Sequence, residues 1–311
     1  TFGGVFMQEI RKTINHAVFG LILYTLLRYA VFAAEPLARK CLVWLMVSDS
    51  GERQTLLQQL EKNAYSSGIS SIAAVAVGVL FLSWYFRRDT PPKMLLKKTQ
   101  LLPLKQFPLL ICIFMGAQLI YSLFGNSLEL LLRLFGYTAM GQLDAASSQS
   151  TTLSMFLYTA VFAPVGEEII YRGLVMRQFQ KYGNVFAIVI SATLFGVMHA
   201  NLFQMPFAFL TGLVLGYTAA EFSLKWSILL HLCNNLVFGE LLSRLTGHLS
   251  PTAQDYLYRG INIFFFAFAA FWLLHHREQL KQYLRENKCA GKNYAAAFTA
   301  VTMLVFIIGN V

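Results

Sequence analysis

Two adjacent glutamates lie in the middle of a long apolar stretch, TTLSMFLYTAVFAPVGEEIIYRGLVMRQFQKYG. A carboxylate at membrane depth is costly unless it is paired. Glu168 and Arg172 are four residues apart on one helix face, which predicts a salt bridge between them. Glu167 lies about 100° around the helix, so that bridge leaves it free. We interpret Glu167 as a carboxylate that faces a cavity opened by Pro164 and Gly166, where it can take a proton from water.

Two other apolar segments carry histidines at helical spacing. SATLFGVMHAN places Phe195 and His199 four residues apart, and KWSILLHLCNNLVFGE does the same for His231 and Asn235. One histidine in an apolar helix is more often a hydrogen-bonded core residue than a catalyst, but two of them with an asparagine in register favour a site. Cys233 lies on nearly the opposite side of its helix from His231, which argues against a cysteine nucleophile.

The register of these helices predicts that the polar residues meet. If the first two helices turn at residues 182–183, Glu167 and His199 both lie about 22 to 24 Å from that turn along antiparallel helices. His231 and Asn235 lie about 10 Å and 16 Å from the turn before their own helix. A helix tilt of about 20° brings them to the same depth. We therefore expect Glu167, His199, His231 and Asn235 to line one buried, hydrated pocket.

The composition predicts that these helices belong to a membrane protein. Of 311 residues, 56% are hydrophobic and 13% are charged, and the mean hydropathy is +0.54. Soluble domains are about 25% charged, so the composition excludes a water-soluble enzyme as well as a disordered chain. The expected fold is an all-α polytopic membrane bundle with about eight to nine transmembrane helices, the catalytic residues lying on three core helices. Windows long enough to span are 17–34, 70–86, 107–125, 151–176, 184–200, 202–221, 226–242, 260–275 and 294–310.

Segments between the predicted spans complete the expected organisation. Residues 36–48 are too short to cross and predict an interfacial or re-entrant piece, and residues 128–136 are expected on the membrane surface. We divide the chain into N-terminal membrane helices and interfacial segments (1–150), a catalytic core (151–245) and C-terminal transmembrane helices (246–311). The four cysteines lack the paired spacing of a zinc or redox site and are expected to line helices: Cys41, Cys112, Cys233 and Cys289.

The basic residues predict the orientation. The net charge is +10, but Lys and Arg cluster beside the apolar runs rather than along one face, so they indicate lipid headgroups and not nucleic acid. The loops at 87–105 and 277–292 hold many of them. With nine spans both loops lie on the same side as Arg11 and Lys12. This predicts a multi-pass plasma-membrane protein with a cytoplasmic N-terminus and an external C-terminus.

Three motifs together resemble a known family. EExxxR (Glu167, Glu168, Arg172), FxxxH (Phe195, His199) and HxxxN (His231, Asn235) occur in the order and helical context of the CPBP intramembrane proteases. This family, also called Abi, comprises the type II CAAX prenyl endopeptidases and bacteriocin-processing enzymes. The resemblance covers about residues 150–245.

The resemblance implies a glutamate-type intramembrane endopeptidase without an obligatory metal or other cofactor. It implies that Glu167 is the general base that activates water and that His199 helps to orient that water. His231 and Asn235 would stabilise the tetrahedral oxyanion. Glu168, Arg172 and Phe195 would support the site. The expected partners are a membrane-associated peptide or protein substrate and the lipid bilayer.

Two alternatives remain open. One glutamate and two histidines also form a zinc ligand set, and zinc lowers the pKa of bound water to about 7. The sequence lacks HExxH, which disfavours a metalloprotease. The chain could instead be a non-catalytic membrane protein, such as an immunity or anchoring factor, that keeps the buried polar cluster for structural reasons.

Overall fold

The computed structural model describes residues 2–62, 67–95, 99–139, 141 and 150–310. All regular secondary structure in these ranges is helical, which confirms the predicted all-α class. Single-turn helices occur at Pro92–Leu95 and Leu104–Gln106. The main helices are α1 (Phe2–Met46), α2 (Ser50–Lys62), α3 (Ile69–Tyr85), α4 (Phe107–Leu134), α5 (Leu153–Tyr182), α6 (Asn184–Met198), α7 (Gln204–Glu221), α8 (224–246), α9 (Pro251–His275), α10 (Arg277–Glu286), α11 (Gly291–Phe298) and α12 (Val301–Asn310).

Two of these helices change their winding where the motifs lie. Helix α5 passes through π-helical turns at Tyr158–Phe162 and Ile169–Val175, on either side of the α-helical Ala163–Glu168. Helix α8 changes from α-helix to π-helix over Cys233–Leu241. A π turn is rare and occurs mostly at functional sites. The glutamates therefore lie on a short α-helical stretch between two π turns, His231 lies just before the π turn of α8, and Asn235 lies within it.

Four helices in the described part of the chain are long and apolar enough to cross a membrane: Phe6–Met46, Leu104–Leu134, Leu153–Tyr182 and Pro251–His275. The pair α11 and α12 passes the same test together but is bent by 63°. Helices α3 and α6 are apolar but shorter. The structure thus supports a membrane helical bundle, while the predicted count of eight to nine spans is not confirmed. Lys97 and Lys98 of the predicted basic loop lie outside the described residues.

The segment 36–48, predicted as an interfacial or re-entrant piece, does not form a separate element, because α1 continues without a break to Met46; its interfacial position stays a prediction. The charges that indicated a break are paired. Arg39 donates to Glu35 one turn earlier, and Lys40 Nζ lies 2.7 Å from Glu61 Oε1 of α2. A helix can carry such residues through an apolar region when each has a partner.

Most of the segment 128–136, predicted on the membrane surface, forms the last turns of α4, and its position relative to the membrane stays a prediction. Arg133 Nε donates to Glu129 Oε1 at 2.8 Å, four residues back. Glu129 also accepts from Thr138 Oγ1 and the Ala139 amide. These bonds satisfy the carboxylate within the helix and its C-terminal turn, so no change of direction is needed before Leu134.

Two glycines allow the helices around the motifs to approach closely. Gly183 joins α5 to α6 with φ +121°, a conformation that side chains rarely adopt. Gly166 faces α3, where an added Cβ would lie 2.3 Å from Val75 Cγ1. The turn at Gly183 brings α6, and the close contact at Gly166 brings α3, against the part of α5 that carries the glutamates.

Candidate active site

A cavity of about 590 Å³ lies among α4, α5, α6, α7 and α8. It is lined by all four residues predicted to be catalytic and by the Phe195 ring: Glu167, Phe195, His199, His231 and Asn235. The remaining lining is partly polar and includes Gln118, Tyr158, Thr159, Asn234 and Glu240. The structure therefore brings residues of all three motifs to one cavity.

Glu168 and Arg172 lie behind the cavity, and both side chains are 0% exposed. Arg172 Nη1 donates to Glu168 Oε1 at 2.7 Å, and the Ser227 hydroxyl donates to the other carboxylate oxygen. The guanidinium carbon also lies 4.2 Å from the centroid of the Phe195 ring, a cation–π contact. These contacts assign Glu168 to the support of the helices and explain how a carboxylate is accommodated at this depth.

Glu167 differs from its neighbour in exposure and in partners. Its side chain is 19% exposed and lines the cavity. Among the described residues its ionic contact is with His231, with 3.8 Å between Nε2 and Glu167 Oε2, too long for a hydrogen bond. Arg172 forms its salt bridge with Glu168 and not with Glu167. The Glu167 carboxylate therefore keeps free lone pairs on the side of the cavity. A water molecule can occupy that position.

His199 presents an acceptor to the cavity. Its Nδ1 lies 2.8 Å from the Phe195 carbonyl oxygen, which can only accept, so Nδ1 carries the proton. The Nε2 lone pair of the neutral ring is then free to accept from water. The chain turns sharply after this residue, since α6 ends at Met198 and Ala200 has φ +47°. A left-handed alanine costs about 1 to 2 kcal/mol, and such strain is common beside active-site residues.

His231 bridges the two glutamates. Its Nδ1 lies 3.0 Å from Glu168 Oε1 and its Nε2 faces Glu167. A carboxylate accepts, so Nδ1 carries a proton, and Nε2 bears one only when the ring is an imidazolium. His231 can therefore donate from Nε2 only after it has gained a second proton.

Asn235 is held by two hydrogen bonds that fix its amide. Its Nδ2 donates to the Thr159 carbonyl at 3.0 Å, and its Oδ1 accepts from Asn234 Nδ2 at 2.8 Å. The Nδ2 group has two hydrogens, so one remains for a ligand. The acceptor on α5 is available because Thr159 precedes Pro164 by five residues, and proline has no N–H to close the π turn.

Sequence reasoning missed four residues of the site. Ser227 lies four residues before His231, a spacing that would have indicated a shared helix face. Glu240 lies five residues after Asn235, and this spacing matches a π turn but not an α turn. Asn234 and Thr159 contact Asn235 without a sequence pattern that predicts them.

The described residues include no group of three or more His, Cys, Asp or Glu side chains arranged to hold a metal ion. Glu168, which could complete such a set, already accepts from Arg172, Ser227 and His231. The geometry thus gives no support to the zinc alternative.

The part of the sequence that carries these residues matches a known protein family. Residues 149–237 match the family described as type II CAAX prenyl endopeptidase Rce1-like. This segment is similar to that family. The match confirms the resemblance drawn from the three motifs and, at the family level, supports a membrane endopeptidase. Neither a curated protein nor a solved structure matches the chain.

The matched segment begins at residue 149, just before α5, and ends at residue 237. It contains the seven motif residues together with Thr159, Ser227 and Asn234. Glu240 lies beyond it, although it lines the same cavity.

Proposed function

We propose that the chain is an intramembrane endopeptidase that hydrolyses a peptide bond of a membrane-associated peptide or protein with a water molecule activated by Glu167. The observation that carries this proposal is that the two adjacent glutamates have different surroundings. Glu168 binds Arg172, whereas Glu167 faces the cavity with no hydrogen-bond partner among the described residues that line it. A base needs a free lone pair within reach of water, and Glu167 has one.

In the proposed reaction, a water molecule donates one hydrogen bond to Glu167 and one to His199 Nε2. Glu167 takes one proton as the water oxygen attacks the scissile carbonyl carbon. The carbonyl oxygen becomes the oxyanion, which accepts from Asn235 Nδ2 and, when its ring also carries a proton on Nε2, from His231. The C–N bond then breaks, the proton on Glu167 passes to the leaving nitrogen, and the base is regenerated. The water supplies one oxygen to the new carboxylate.

The proposed location is the plasma membrane, with the N-terminus in the cytoplasm. The apolar composition and the family support an integral membrane protein. The orientation rests on basic residues near the ends of the predicted spans, which resist translocation.

The test compares two glutamates of similar exposure. Glu35 is 16% exposed and Glu167 is 19% exposed, but Glu35 binds Arg39 and Ser70 away from the cavity. Glu→Gln keeps size and polarity while removing the base. We expect Glu167→Gln to abolish cleavage and Glu35→Gln to retain it.

The probe is a set of quenched-fluorescence peptides, each with one apolar segment, in proteoliposomes that contain the purified protein. Cleavage sites are identified by mass spectrometry in ¹⁸O-labelled water, where one ¹⁸O is expected in the new C-terminus. A Glu167→Gln protein that still cleaves would refute the role of Glu167. A folded parent that cleaves none of the peptides would favour the non-catalytic alternative.

A further inference from the structure

Glu240 is a buried carboxylate on α8 that none of the three motifs includes. The residue is 7% exposed and lines the wall of the cavity. It accepts hydrogen bonds from Ser150 Oγ at 2.6 Å, Thr159 Oγ1 at 2.8 Å and Arg244 Nη2 at 3.2 Å. A carboxylate with three donors is rigidly held, and here one of the donors belongs to α5.

Thr159 of α5 forms two hydrogen bonds with α8. Its hydroxyl contacts Glu240 and its carbonyl accepts from Asn235 Nδ2. The carbonyl is free for this bond because the Ala163 amide donates to Tyr158 and the next residue, Pro164, has no amide hydrogen. One residue of the first π turn thus touches two residues of the π turn in α8.

We propose that Glu240 is a positioning residue for Asn235 and acts through Thr159. The Thr159 hydroxyl has one hydrogen and three acceptors within reach: Glu240 Oε1, the Met155 carbonyl at 3.0 Å and the Phe156 carbonyl at 3.3 Å. The bond to a charged acceptor is the strongest of these. It fixes Thr159 against α8, so the carbonyl of Thr159 points at the amide of Asn235.

This inference rests on the proposed function, because it concerns the donor that Asn235 offers to the oxyanion. Asn234 holds the oxygen end of the same amide. With both ends fixed, the remaining N–H of Nδ2 has a defined direction. A donor that is held before the oxyanion forms requires no reorganisation in the transition state. Loss of Glu240 should therefore affect the chemical step and not the binding of substrate.

The test uses Glu240→Gln, Thr159→Val and Thr159→Ser, each in the parent and in Asn235→Ala. Glu240→Gln keeps shape but offers a neutral acceptor, and Thr159→Val removes the hydroxyl while keeping the carbonyl. We expect both to lower kcat by about 10-fold to 100-fold with little change in KM, as expected when a catalytic group is misplaced by up to about 1 Å. Thr159→Ser, which keeps the hydroxyl, should lose much less activity than Thr159→Val.

The Asn235→Ala background separates positioning from a general structural role. If Glu240 acts through Asn235, Glu240→Gln should have no further effect on kcat once Asn235 is absent. An equal loss in both backgrounds, or an unchanged kcat in the parent, would overturn the proposal. Glu129→Gln is the matched control, because Glu129 is also 7% exposed and held by three donors but does not line the cavity.

Two further measurements keep the result decisive. Thermal unfolding in detergent identifies any variant that fails to fold, and Thr159→Val then carries the test in place of Glu240→Gln. An experimental structure of Glu240→Gln in which Asn235 Nδ2 still donates to Thr159 would refute the proposal whatever the activity. An inactive parent protein would refute the proposed function as well, whereas an active parent with silent Glu240 variants would refute only this inference.

Discussion

Removing one member of the Glu168–Arg172 pair is expected to destabilise the protein far more than removing both. The two side chains are 0% exposed, so neither can be hydrated when its partner is lost. In Glu168→Gln, Arg172 would lose its carboxylate and keep neutral contacts, which include the Gly212 carbonyl at 3.4 Å and the face of Phe195. In Arg172→Met, Glu168 would keep Ser227 and His231.

The expected size follows from this burial. An uncompensated buried charge costs about 3 to 5 kcal/mol, so each single substitution should lower the free energy of unfolding by that amount. In the double variant no charge remains in the pair, and the neutral amide introduced by Glu168→Gln still accepts from neighbouring donors. The double variant should therefore be more stable than either single variant, with a coupling free energy of at least about 3 kcal/mol.

The assay is equilibrium unfolding in mixed micelles as the fraction of sodium dodecyl sulfate is raised, followed by circular dichroism. Four proteins are compared: the parent, the two single variants and the double variant. If the double variant loses as much stability as the two single variants together, the two groups do not act as a pair. That result would refute the assignment of Glu168 and Arg172 to mutual support.

Three other predictions concern the site and the orientation. Asn235→Ala should lower kcat by about 10²-fold to 10³-fold with little change in KM, since an oxyanion donor acts only in the transition state; steady-state kinetics on a cleaved peptide would contradict this if kcat were unchanged. The purified protein should keep its activity in strong chelators and hold no stoichiometric metal by elemental analysis, because in the proposed mechanism Glu167 and not zinc activates the water; chelator-sensitive activity with stoichiometric zinc would establish the metal mechanism instead. A cysteine introduced at Lys281 on α10 should react with a membrane-impermeant maleimide only after the cells are opened. Labelling of this cysteine in intact cells would show that α10 lies outside and would refute the predicted orientation.

The convergence of Glu167 and His199 could be predicted because both lie a similar number of residues from one turn, which Gly183 marks. An α-helical rise of about 1.5 Å per residue predicts similar depths, although the π turn at Ile169–Val175 interrupts that regular winding. The buried bridge between Glu168 and Arg172 also follows directly from their spacing. In contrast, Glu240 and Thr159 are 81 residues apart and lie on different helices. Their contact depends on how α5 and α8 pack, which no local pattern contains.

For a related reason, the sequence did not show that α1 continues to Met46 and α4 to Leu134. Charged residues in an apolar sequence indicate a helix end only when they have no partner. Lys40 finds Glu61 on another helix, and Arg133 finds Glu129 one turn earlier. The second pair has a recognisable spacing, whereas the first depends on the position of α2.

The π turns explain why the site combines predictable positions with unpredictable contacts. An α-helix places residues four apart on one face, so HxxxN predicts His231 and Asn235 as neighbours. From Cys233 onward the helix is π-wound, and this winding brings Glu240 into the same wall of the cavity. On α5 the π turn before Pro164 leaves the Thr159 carbonyl for Asn235. Each π turn weakens the regular hydrogen bonding of its own helix. The acceptor released on α5 is satisfied by a side chain of α8, so the irregular backbone and the geometry of Asn235 depend on one another.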